Sequence, residues 1–531
     1  MSTSISSAGV RSADSAASDA IVSVNPATLE ALGRVPIVPP EAVSALAEKA
    51  RAAWPAWAAR PFRERGRALL AARRHLLAHL DDFALTITQE NGKPLVESLT
   101  AELYPIADLL YYFAQHAERL LAGHAVPTGL MRWLGRASRM TYPPVGVVGV
   151  IAPWNYPFSI PAGICAMALV TGNAVLCKPS SVTPLVGLKI AEMFAAAGLP
   201  TDCFTLLPGR AATGEALCAA PIDKLVFTGS VEAGKAVMRA CADRCLPCVI
   251  ELGGKDPMIV RADADVDHAA SGAVWGAFSN AGQCCAAVER VYVHHAVAET
   301  FIDRVVDKTR RLRQGLGTDV HTDIGPLTTA AQLAVVERQV EDARAHGAQV
   351  LTGGERHRAL PGHFYLPTVL TQVDHTHAVM REETFGPILP IMAVADDAEA
   401  IRLANDTPFG LTASIWTRDL QAAERMARQL RVGTVTINEC VYTHAICQTP
   451  WGGRGHSGFG RTHGRLGLME FVHPHHVHTN RRPQRKSLWW YPYNQTLYDL
   501  FRALTRRVTS GFGGLLLGLP RLLSAMRLPK I

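Results

Sequence analysis

The chain has 531 residues, of which 48% are hydrophobic and 19% are charged. This composition excludes an intrinsically disordered chain, and the length is too great for one simple core, so we predict two or three domains. Eleven cysteines are scattered without the spacing of a metal site or of a disulfide framework. They indicate reduced thiols in a cytoplasmic protein without a signal peptide, and we predict no metal site.

The net charge of +7 is concentrated at the C-terminal end. Ten Lys and Arg residues but one acid, Asp499, follow Phe471, so this part carries +9 and the rest of the chain −2. A body with a negative balance gives no support to nucleic-acid binding, and we predict none.

The chain begins with a Ser- and Ala-rich stretch and continues with helical patterns. Residues 1–20 have little apolar periodicity and are predicted to be a disordered leader rather than a secretory signal. From Pro40 to Leu121 apolar residues recur at spacings of three and four, which predicts helices. The turn residues at 90–94 interrupt this pattern.

An unbroken apolar run at 145–152 is followed by Pro-Trp-Asn-Tyr-Pro at 153–157. This pattern predicts a buried parallel strand whose C-terminal end opens on a ligand site. The side-chain amide of Asn155 is then suited to donate to an oxygen that becomes negative during a reaction. An Asn that caps an ordinary turn is the alternative interpretation.

Two further strand patterns are followed by candidate site residues. The run 173–181 contains Lys178 near its end, and the run 225–235 places Gly229, Ser230 and Gly234 at the start of a predicted helix. Glycines let the backbone approach a ligand closely, and a helix N-terminus attracts phosphate. The motif differs from Gly-x-Gly-x-x-Gly and is weak evidence by itself, and a lone surface Lys is the ordinary explanation of such a residue.

The strongest chemical signal is a pair of adjacent cysteines, Cys284 and Cys285, among the small residues of 280–287. A thiolate in such a turn accepts hydrogen bonds from main-chain amides and is a suitable nucleophile, although a buried structural pair also fits. Glu251 heads a glycine-rich turn 34 residues before Cys285. It is suited to activate water or to deprotonate a thiol, unless it is an ordinary solvated residue.

Together, Glu-Leu-Gly-Gly-Lys at 251–255 and Gly-Gln-Cys-Cys at 282–285 resemble the aldehyde dehydrogenase family. Further motifs in the same order extend the resemblance from about Val24 to about Phe471. It implies an α/β fold with a Rossmann-type cofactor-binding domain, a second α/β catalytic domain and a small β oligomerisation arm. The implied boundaries are 21–125 with 144–252 for the cofactor-binding domain, 253–471 for the catalytic domain, and 126–143 with 472–486 for the oligomerisation strands.

The resemblance assigns Cys285 as the nucleophile, Glu251 as the base and Asn155, with the Cys285 backbone N–H, as the oxyanion hole. It also implies NAD or NADP as the cofactor. Many NAD-preferring relatives carry Glu at the position of Ser181, and the neutral side chain here leaves NADP possible. The implied cofactor-binding residues are Trp154, Lys178, Ser181, Gly209, Gly229, Ser230, Gly234, Glu383 and Phe385.

Three positions depart from the family pattern. Thr462 stands where relatives usually have Glu, and Ile164 where many have Lys, so Glu251 is the only evident base. Gly163 stands where succinic semialdehyde dehydrogenases commonly carry Arg, and a pocket without a cation does not compensate for the desolvation of a carboxylate. We therefore predict an apolar aldehyde, medium- or long-chain or aromatic, that enters past the loop 439–449.

The predicted reaction oxidises the aldehyde to its carboxylic acid through a thiohemiacetal and a thioester on Cys285. Three alternatives stay open. They are a CoA-acylating semialdehyde dehydrogenase, against which the presence of Glu251 argues, a succinate-semialdehyde-type dehydrogenase, and a catalytically idle binding protein on the same fold.

The resemblance also implies a homodimer or homotetramer. Predicted strands near Arg136–Pro143 and His473–Thr479 would bridge its subunits. Histidines alternate along the second of these strands, and a solvated or interface strip is a better explanation of them than a metal site. They are His473, His475, His476 and His478.

The extension 487–531 begins with the aromatic cluster Trp489–Tyr493 and continues with an amphipathic, basic pattern. Its uncharged runs are shorter than the ~20 residues that a membrane-spanning helix needs. We predict either an arm that packs on a neighbouring subunit or a segment that lies on a membrane. The second possibility would make the protein peripheral to the inner face of a membrane.

Overall fold

The computed structural model describes residues 19–132, 135–481, 487 and 489–508. Nearly all of the predicted leader lies outside the described residues, and so do the Leu-rich runs beyond 508. Contacts group the described chain into two compact units. The larger unit comprises the residues up to Ala122 with Tyr142–His475, and the smaller one comprises Gly123–Thr141 with the residues from His476 onward.

The strands of the described residues are numbered in chain order. They are β1 Ala20–Val24, β2 Ala31–Pro36, β3 His124–Val126, β4 Arg136–Thr141, β5 Val147–Ile151, β6 Ala174–Lys178, β7 Phe204–Leu206, β8 Lys224–Thr228, β9 Cys248–Glu251, β10 Asp256–Val260, β11 Val288–His294, β12 Gln349–Thr352, β13 Thr368–Thr371, β14 Ile388–Val394, β15 Thr412–Trp416, β16 Thr434–Ile437, β17 Gly458–Phe459 and β18 His475–Asn480.

The α-helices are numbered in the same way. They are α1 Pro40–Ala58, α2 Phe62–Ala78, α3 Leu80–Asn91, α4 Leu95–Glu97, α5 Tyr104–Leu120, α6 Ser159–Val170, α7 Pro184–Ala195, α8 Ala211–Ala219, α9 Val231–Ala242, α10 Val266–Phe278, α11 His295–Arg310, α12 Ala330–Ala345, α13 Ala378–Arg381, α14 Asp397–Ala404, α15 Leu420–Ala427, α16 Gly464–Met469 and α17 Gln495–Val508. A π-helical turn, Ser98–Leu103, joins α4 to α5, and 3₁₀ turns occur at Gly129–Arg132, Ser279–Gly282, Tyr442–Ala445 and Gly455–Ser457.

The first large sheet of the larger unit has the strand order β17-β9-β8-β5-β6-β7. Its strands are parallel except for β17, which pairs antiparallel with β9. The apolar run predicted as a buried strand is β5, whose alternate side chains enter two different core clusters. Because β5, β6, β8 and β9 run in the same direction, the segments that follow them meet at one edge of the sheet.

The second large sheet has the order β12-β13-β14-β11-β10-β15-β16 and is parallel except for β12. The turn that contains Cys285 leads into its strand β11, and the Gly253–Gly254 turn leads from β9 of the first sheet into β10. The two sheets confirm the predicted α/β fold with a Rossmann-like part and a second α/β part. The exact domain boundaries stay predictions.

The smaller unit contains a three-stranded sheet with the order β18-β4-β3, together with the aromatic segment and α17. The Ser138 hydroxyl and His478 Nδ1 are 2.8 Å apart within this sheet. The amphipathic pattern that begins at Leu497 forms α17, as predicted. None of the described helices has the length and apolar character needed to cross a bilayer.

Candidate active site

Cys285 lies where two cavities of the larger unit meet, and it lines both. The first, which we name the apolar cavity, has a volume of about 530 Å³ and is lined by Glu97, Thr100, Ala101, Tyr104, Tyr156, Ile160, Trp275, Ser279, Cys284, Cys285, Ala286, Val441, Tyr442, His444, Ala445 and Trp451. The second, the strand-edge cavity, has a volume of about 480 Å³ and is lined by 151–155, Ile160, Ser180, 227–230, Ala233, Leu252, Gly253, Cys285, Gln332, Val335, Glu383 and Phe385.

The turn before Cys285 has an unusual backbone conformation. Asn280, Ala281 and Gly282 have φ angles of 51°, 53° and 75°, and this left-handed region is unfavourable for the first two residues because they carry side chains. The Glu97 carboxylate stabilises the turn by accepting the Asn280 backbone N–H at 2.9 and 3.0 Å. Backbone strain maintained by surrounding contacts is typical of functional sites.

Side-chain amides connect this turn to the segment after β5. The Asn155 amide donates to the Gln283 carbonyl at 3.1 Å, and the Asn280 amide donates to the Asn155 carbonyl at 2.9 Å. The Gln283 side chain accepts the Thr328 backbone N–H at 2.8 Å. The structure therefore places the buried amide of Asn155 beside the turn that carries Cys285, while its role as an oxyanion donor stays a prediction.

Cys284 and Cys285 are hydrogen-bonded to each other, but their surroundings differ. The hydrogen bond from Cys285 lowers the pKa of the Cys284 thiol to about 7, and the same hydrogen bond, together with burial, raises the pKa of Cys285. The Tyr156 hydroxyl also bonds to Cys284, and the Lys93 ammonium lies 4.0 Å from the centre of the Tyr156 ring. Of the two thiols only that of Cys285 lines both cavities, so its position favours Cys285 as the nucleophile.

Glu251 ends β9 with its side chain buried. Burial raises the pKa of its carboxyl group to about 7, against the opposing effect of hydrogen bonds from Thr462 and Trp451. The Thr462 hydroxyl donates to the Glu251 carboxylate at 3.1 Å. A carboxylate with a pKa near neutrality is suited to act as a general base. Thr462, which the sequence marked only as a missing Glu, is therefore a direct partner of the predicted base.

The strand-edge cavity collects five of the nine predicted cofactor-binding residues. The Trp154 and Phe385 rings meet edge to face with their centres 5.5 Å apart. The Glu383 carboxylate accepts the Gly254 backbone N–H at 3.0 Å, and burial raises the pKa of Glu383 to about 8. The five residues that line this cavity are Trp154, Gly229, Ser230, Glu383 and Phe385.

The same cavity has features that fit the phosphates of a dinucleotide. Ser230 caps the N-terminus of α9 by accepting the Ala233 backbone N–H at 3.3 Å, and both residues line the cavity. The buried hydroxyl of Thr228 also lines it and has no hydrogen-bond partner among the described residues. A helix N-terminus beside an unsatisfied hydroxyl is a suitable site for an anionic group.

The other four predicted cofactor-binding residues lie outside the lining of the strand-edge cavity. Lys178 ends β6, and burial lowers the pKa of its ammonium group to about 8. Ser181 is adjacent to Ser180, which does line the cavity. Gly209 and Gly234 permit close packing, since a Cβ atom at either position would collide with Thr213 or with Leu252, respectively. The roles of these four residues in cofactor binding stay predictions.

The loop 439–449, predicted to lie at the substrate entrance, contributes side chains to the apolar cavity. Val441 has a φ of 65°, a conformation that is strained for a β-branched residue. Burial lowers the pKa of His444 to about 4, so this side chain is neutral at pH 7. The loop cysteines pack away from the cavity lining, with the Cys440 thiol donating to the Gly272 carbonyl and the Cys447 thiol to the Asp108 carboxylate.

Sequence reasoning missed several residues that the structure places at the site. Glu97 stabilises the turn before Cys285 and lines the apolar cavity, and Tyr156 contacts Cys284. Trp275 and Ser279 come from the end of α10 and the turn after it, and the buried Ser279 hydroxyl has no hydrogen-bond partner among the described residues. Only Tyr156, which follows Asn155, had a sequence signal, because the other three belong to no recognised motif.

Comparisons with known proteins agree with this geometry. The model of the aldehyde dehydrogenase family matches residues 13–477. A 4,4'-diapolycopene aldehyde oxidase from Methylomonas sp is 40% identical over 482 residues, which cover 91% of this chain and 90% of the relative. A protein of Mycolicibacterium smegmatis, provisionally named a succinate-semialdehyde dehydrogenase that uses NADP(+), is 40% identical over 456 residues, which cover 85% of this chain and 87% of that protein.

Solved structures are similar over most of the chain. Betaine aldehyde dehydrogenase from Staphylococcus aureus in complex with NAD+ superposes with a TM-score of 0.84 at 32% identity, covering 89% of this chain and 94% of that one. An NADP-dependent enzyme from E. coli gives a TM-score of 0.83 at 35% identity, covering 87% and 95%. These findings confirm the predicted enzyme class and the use of NAD or NADP, and the chain belongs to the aldehyde dehydrogenase family.

Proposed function

We propose that this enzyme oxidises an apolar aldehyde, medium- or long-chain or aromatic, to its carboxylic acid with NAD or NADP. The observation that carries this proposal is the lining of the apolar cavity beside Cys285. Aromatic and aliphatic side chains dominate this lining, and it includes neither Lys nor Arg. An apolar substrate gains free energy from leaving water there, roughly 0.8 kcal/mol for each buried methylene group.

The charge of the apolar cavity argues against an anionic substrate. Glu97 lines the cavity, and burial raises the pKa of its carboxyl group to about 7, so it is partly ionised near neutral pH. The neutral His444 supplies no compensating positive charge. A substrate carboxylate would therefore lose its hydration and meet a like charge, and both effects weaken binding.

The relatives support two substrate classes to different degrees. One is named for an aldehyde of 4,4'-diapolycopene, which has a polyene hydrocarbon skeleton and therefore belongs to the apolar class. Another is named for succinate semialdehyde, which makes a succinate-semialdehyde-type activity the second candidate. The absence of Arg at Gly163, and of any Lys or Arg from the lining of the cavity, favours the first class.

The first chemical step uses Cys285 and Asn155. Cys285 releases its thiol proton to water, and the resulting thiolate attacks the carbonyl carbon of the aldehyde and forms a thiohemiacetal. The carbonyl oxygen becomes negative, and the Asn155 amide and the Cys285 backbone N–H stabilise it. Loss of one such donor typically lowers the rate by roughly 10²–10³.

The second step depends on Glu251. Trp154, Ser230 and Glu383 would hold NAD or NADP in the strand-edge cavity, where its nicotinamide would supply the hydride acceptor for the carbon bound to Cys285. Loss of the hydride would leave a thioester on Cys285. Glu251 then takes a proton from a water molecule, whose oxygen attacks the thioester and releases the carboxylic acid. Thr462 keeps the carboxylate in place through its hydrogen bond. The presence of this base argues against the CoA-acylating alternative.

The neutral side chain of Ser181 is compatible with either NAD or NADP. We expect Ser181→Glu to lower kcat/KM for NADP by roughly tenfold, because a carboxylate repels a 2′-phosphate, while kcat/KM for NAD stays nearly unchanged. Steady-state kinetics with both cofactors at a fixed aldehyde concentration measures this ratio. Equal losses with both cofactors would contradict a role of this position in the choice.

Assembly and location are part of the same proposal. The family is typically oligomeric, and we infer a cytoplasmic homodimer or homotetramer in which β4 and β18 bridge subunits. The eleven free cysteines support a reducing compartment. Size-exclusion chromatography with light scattering measures the mass, and a monomer would overturn the inferred assembly.

A substrate panel tests the proposed function. The purified chain is mixed with NAD or NADP and with hexanal, dodecanal, benzaldehyde or succinic semialdehyde, with and without CoA, and reduced nicotinamide is followed by absorbance. We expect kcat/KM for the apolar aldehydes to exceed that for succinic semialdehyde without any need for CoA. The reverse order would favour the succinate-semialdehyde type, dependence on CoA the acylating type, and a complete lack of reduction the idle binding protein.

A further inference from the structure

The smaller unit presents a group of large aromatic side chains to solvent. The exposed fractions are 54% for Trp490, 78% for Tyr491, 64% for Tyr493, 61% for Tyr498 and 38% for Phe501. We name these five residues the aromatic face. Grouped large apolar side chains are uncommon on a soluble surface and indicate contact with another molecule or with a membrane.

An open groove of about 770 Å³ runs beside α17 in the same unit. Trp489, Leu497 and Phe501 contribute apolar walls, and Arg502 and Arg506 contribute positive charge to its lining. A groove with apolar walls and guanidinium groups is complementary to a lipid, whose acyl chains are apolar and whose phosphate is an anion.

The helix itself has the pattern of a segment that lies in an interface. α17 has 14 residues and is therefore about 21 Å long, which is too short to span a bilayer. Leu497 and Phe501 recur at helical spacing on one side, with Leu500 buried beside them, and the exposed Arg502 and Arg506 lie farther around the helix. Trp and Tyr residues such as those of the aromatic face are typical of the headgroup region of membranes.

Charge supports the same kind of partner. The sequence after Phe471 carries +9, whereas the rest of the chain carries −2. Arg481, Arg502 and Arg506 are exposed among the described residues of this part. Each basic residue close to an anionic membrane contributes about 1 kcal/mol to binding.

We propose that the aromatic face and α17 dock this enzyme on an anionic membrane surface, with the aromatic rings in the headgroup region and the arginines on lipid phosphates. A second copy of the chain is a poorer occupant of the same surface. A twofold contact through this face would bring its arginines near those of the partner, and like charges disfavour such a contact. The docking proposal is independent of which aldehyde the enzyme oxidises.

Vesicle co-sedimentation tests the proposal on the full chain. Vesicles of phosphatidylcholine alone are compared with vesicles that also contain phosphatidylglycerol. We expect the wild type to bind the anionic vesicles and to dissociate as salt is added. Arg502→Gln with Arg506→Gln should lower the partition coefficient by roughly ten- to thirtyfold, and Trp490→Ser with Phe501→Ser by about tenfold or more.

Matched control variants separate docking from general changes of surface. Arg418→Gln with Arg428→Gln removes two exposed arginines of the larger unit, and Leu188→Ser with Leu420→Ser removes two exposed apolar side chains there. Both controls should bind vesicles like the wild type. Oxidation of water-soluble benzaldehyde verifies that every variant is folded, since none of these residues lines the two cavities at Cys285.

Lipids with brominated acyl chains provide a second readout, because bromine quenches Trp fluorescence on contact. We expect quenching in the wild type and its loss in Trp489→Phe with Trp490→Phe. Equal sedimentation of the docking and control variants would overturn the proposal. Dissociation of the oligomer in the docking variants, with vesicle binding unchanged, would also overturn it and assign the face to a subunit contact.

Discussion

The two cavities that meet at Cys285 are built from different kinds of sequence. The strand-edge cavity consists largely of short continuous segments, 151–155, 227–230 and 252–253, each of which follows a strand of one sheet. The apolar cavity collects side chains from the helical region 97–104, from α10, from the turn 279–286 and from the loop 439–449, which share no common strand pattern. The segments of the strand-edge cavity can be located in the sequence from the apolar strands beside them. The segments of the apolar cavity have no such local pattern.

This difference separates reaction chemistry from substrate choice. In the proposed mechanism Asn155, Glu251 and Cys285 would serve any aldehyde, since they would act on the carbonyl group that all aldehydes share. Glu97 and Trp275 line the apolar cavity and would face the remainder of the substrate, which differs between aldehydes. Substitutions of the first group should reduce kcat/KM for all aldehydes together. Substitutions of the second group should change the relative kcat/KM of different aldehydes.

The largest effect is expected from Cys285→Ala. Loss of the nucleophile should lower kcat/KM by roughly 10⁴-fold or more for every aldehyde of the panel. Cys284→Ala is the matched control and should retain activity within about tenfold, because Cys284 does not line the strand-edge cavity. Initial rates of NAD(P) reduction measure both variants. If Cys284→Ala were inactive and Cys285→Ala active, Cys284 rather than Cys285 would be the nucleophile.

Glu251→Gln should lower kcat by roughly 10²–10⁴-fold for all aldehydes, because the variant lacks a base to activate water. Intact-mass spectrometry after one turnover should then detect an acyl group on Cys285. A steady-state rate equal to that of the wild type would contradict the assignment.

The pH profile of the wild type should report the same carboxylate. Burial raises the pKa of Glu251 to about 7, and only the ionised form accepts a proton. The rate of thioester hydrolysis should therefore fall about tenfold per pH unit below this pKa and level off above it. Single-turnover measurements of acid release from about pH 5 to about pH 9 give the profile. A rate that rises as the pH falls would exclude Glu251 as the base.

Glu97→Gln should change substrate order rather than overall rate. Removal of a negative charge from the apolar cavity should raise kcat/KM for succinic semialdehyde by roughly tenfold relative to butanal, which has the same chain length without the carboxylate. The amide still offers an oxygen to the Asn280 N–H, so the nucleophile turn is retained. Equal changes for both aldehydes would instead indicate that Glu97 acts only through the position of Cys285.

The same contrast explains which features of the fold and the site could be predicted from the sequence. β5 and the residues at the edge of its sheet were predictable because apolar runs and glycine turns are local features. Thr462 and Glu97 were not, because a hydrogen bond to Glu251 across 211 positions, or to Asn280 across 183, leaves no periodic pattern. The hydrogen bond that lowers the pKa of Cys284 could not be predicted either, since it depends on the orientation of neighbouring side chains rather than on spacing.

The smallest effect is expected from Trp275→Ala. Trp275 lines the apolar cavity and is 47% exposed, so it forms part of the mouth rather than of the floor next to the thiol. A short aldehyde such as butanal should hardly contact it, whereas a longer chain packs against the indole and loses one or two buried methylene groups, at ~0.8 kcal/mol each, when the ring is removed. We therefore expect kcat/KM to fall by roughly three- to tenfold for dodecanal and to stay nearly constant for butanal.

A series of straight-chain aldehydes measures this as a lower slope of log kcat/KM against chain length. An unchanged slope would mean that long substrates do not contact the Trp275 indole. A uniform loss at every chain length would mean that Trp275 affects the reaction step rather than the preference for long chains.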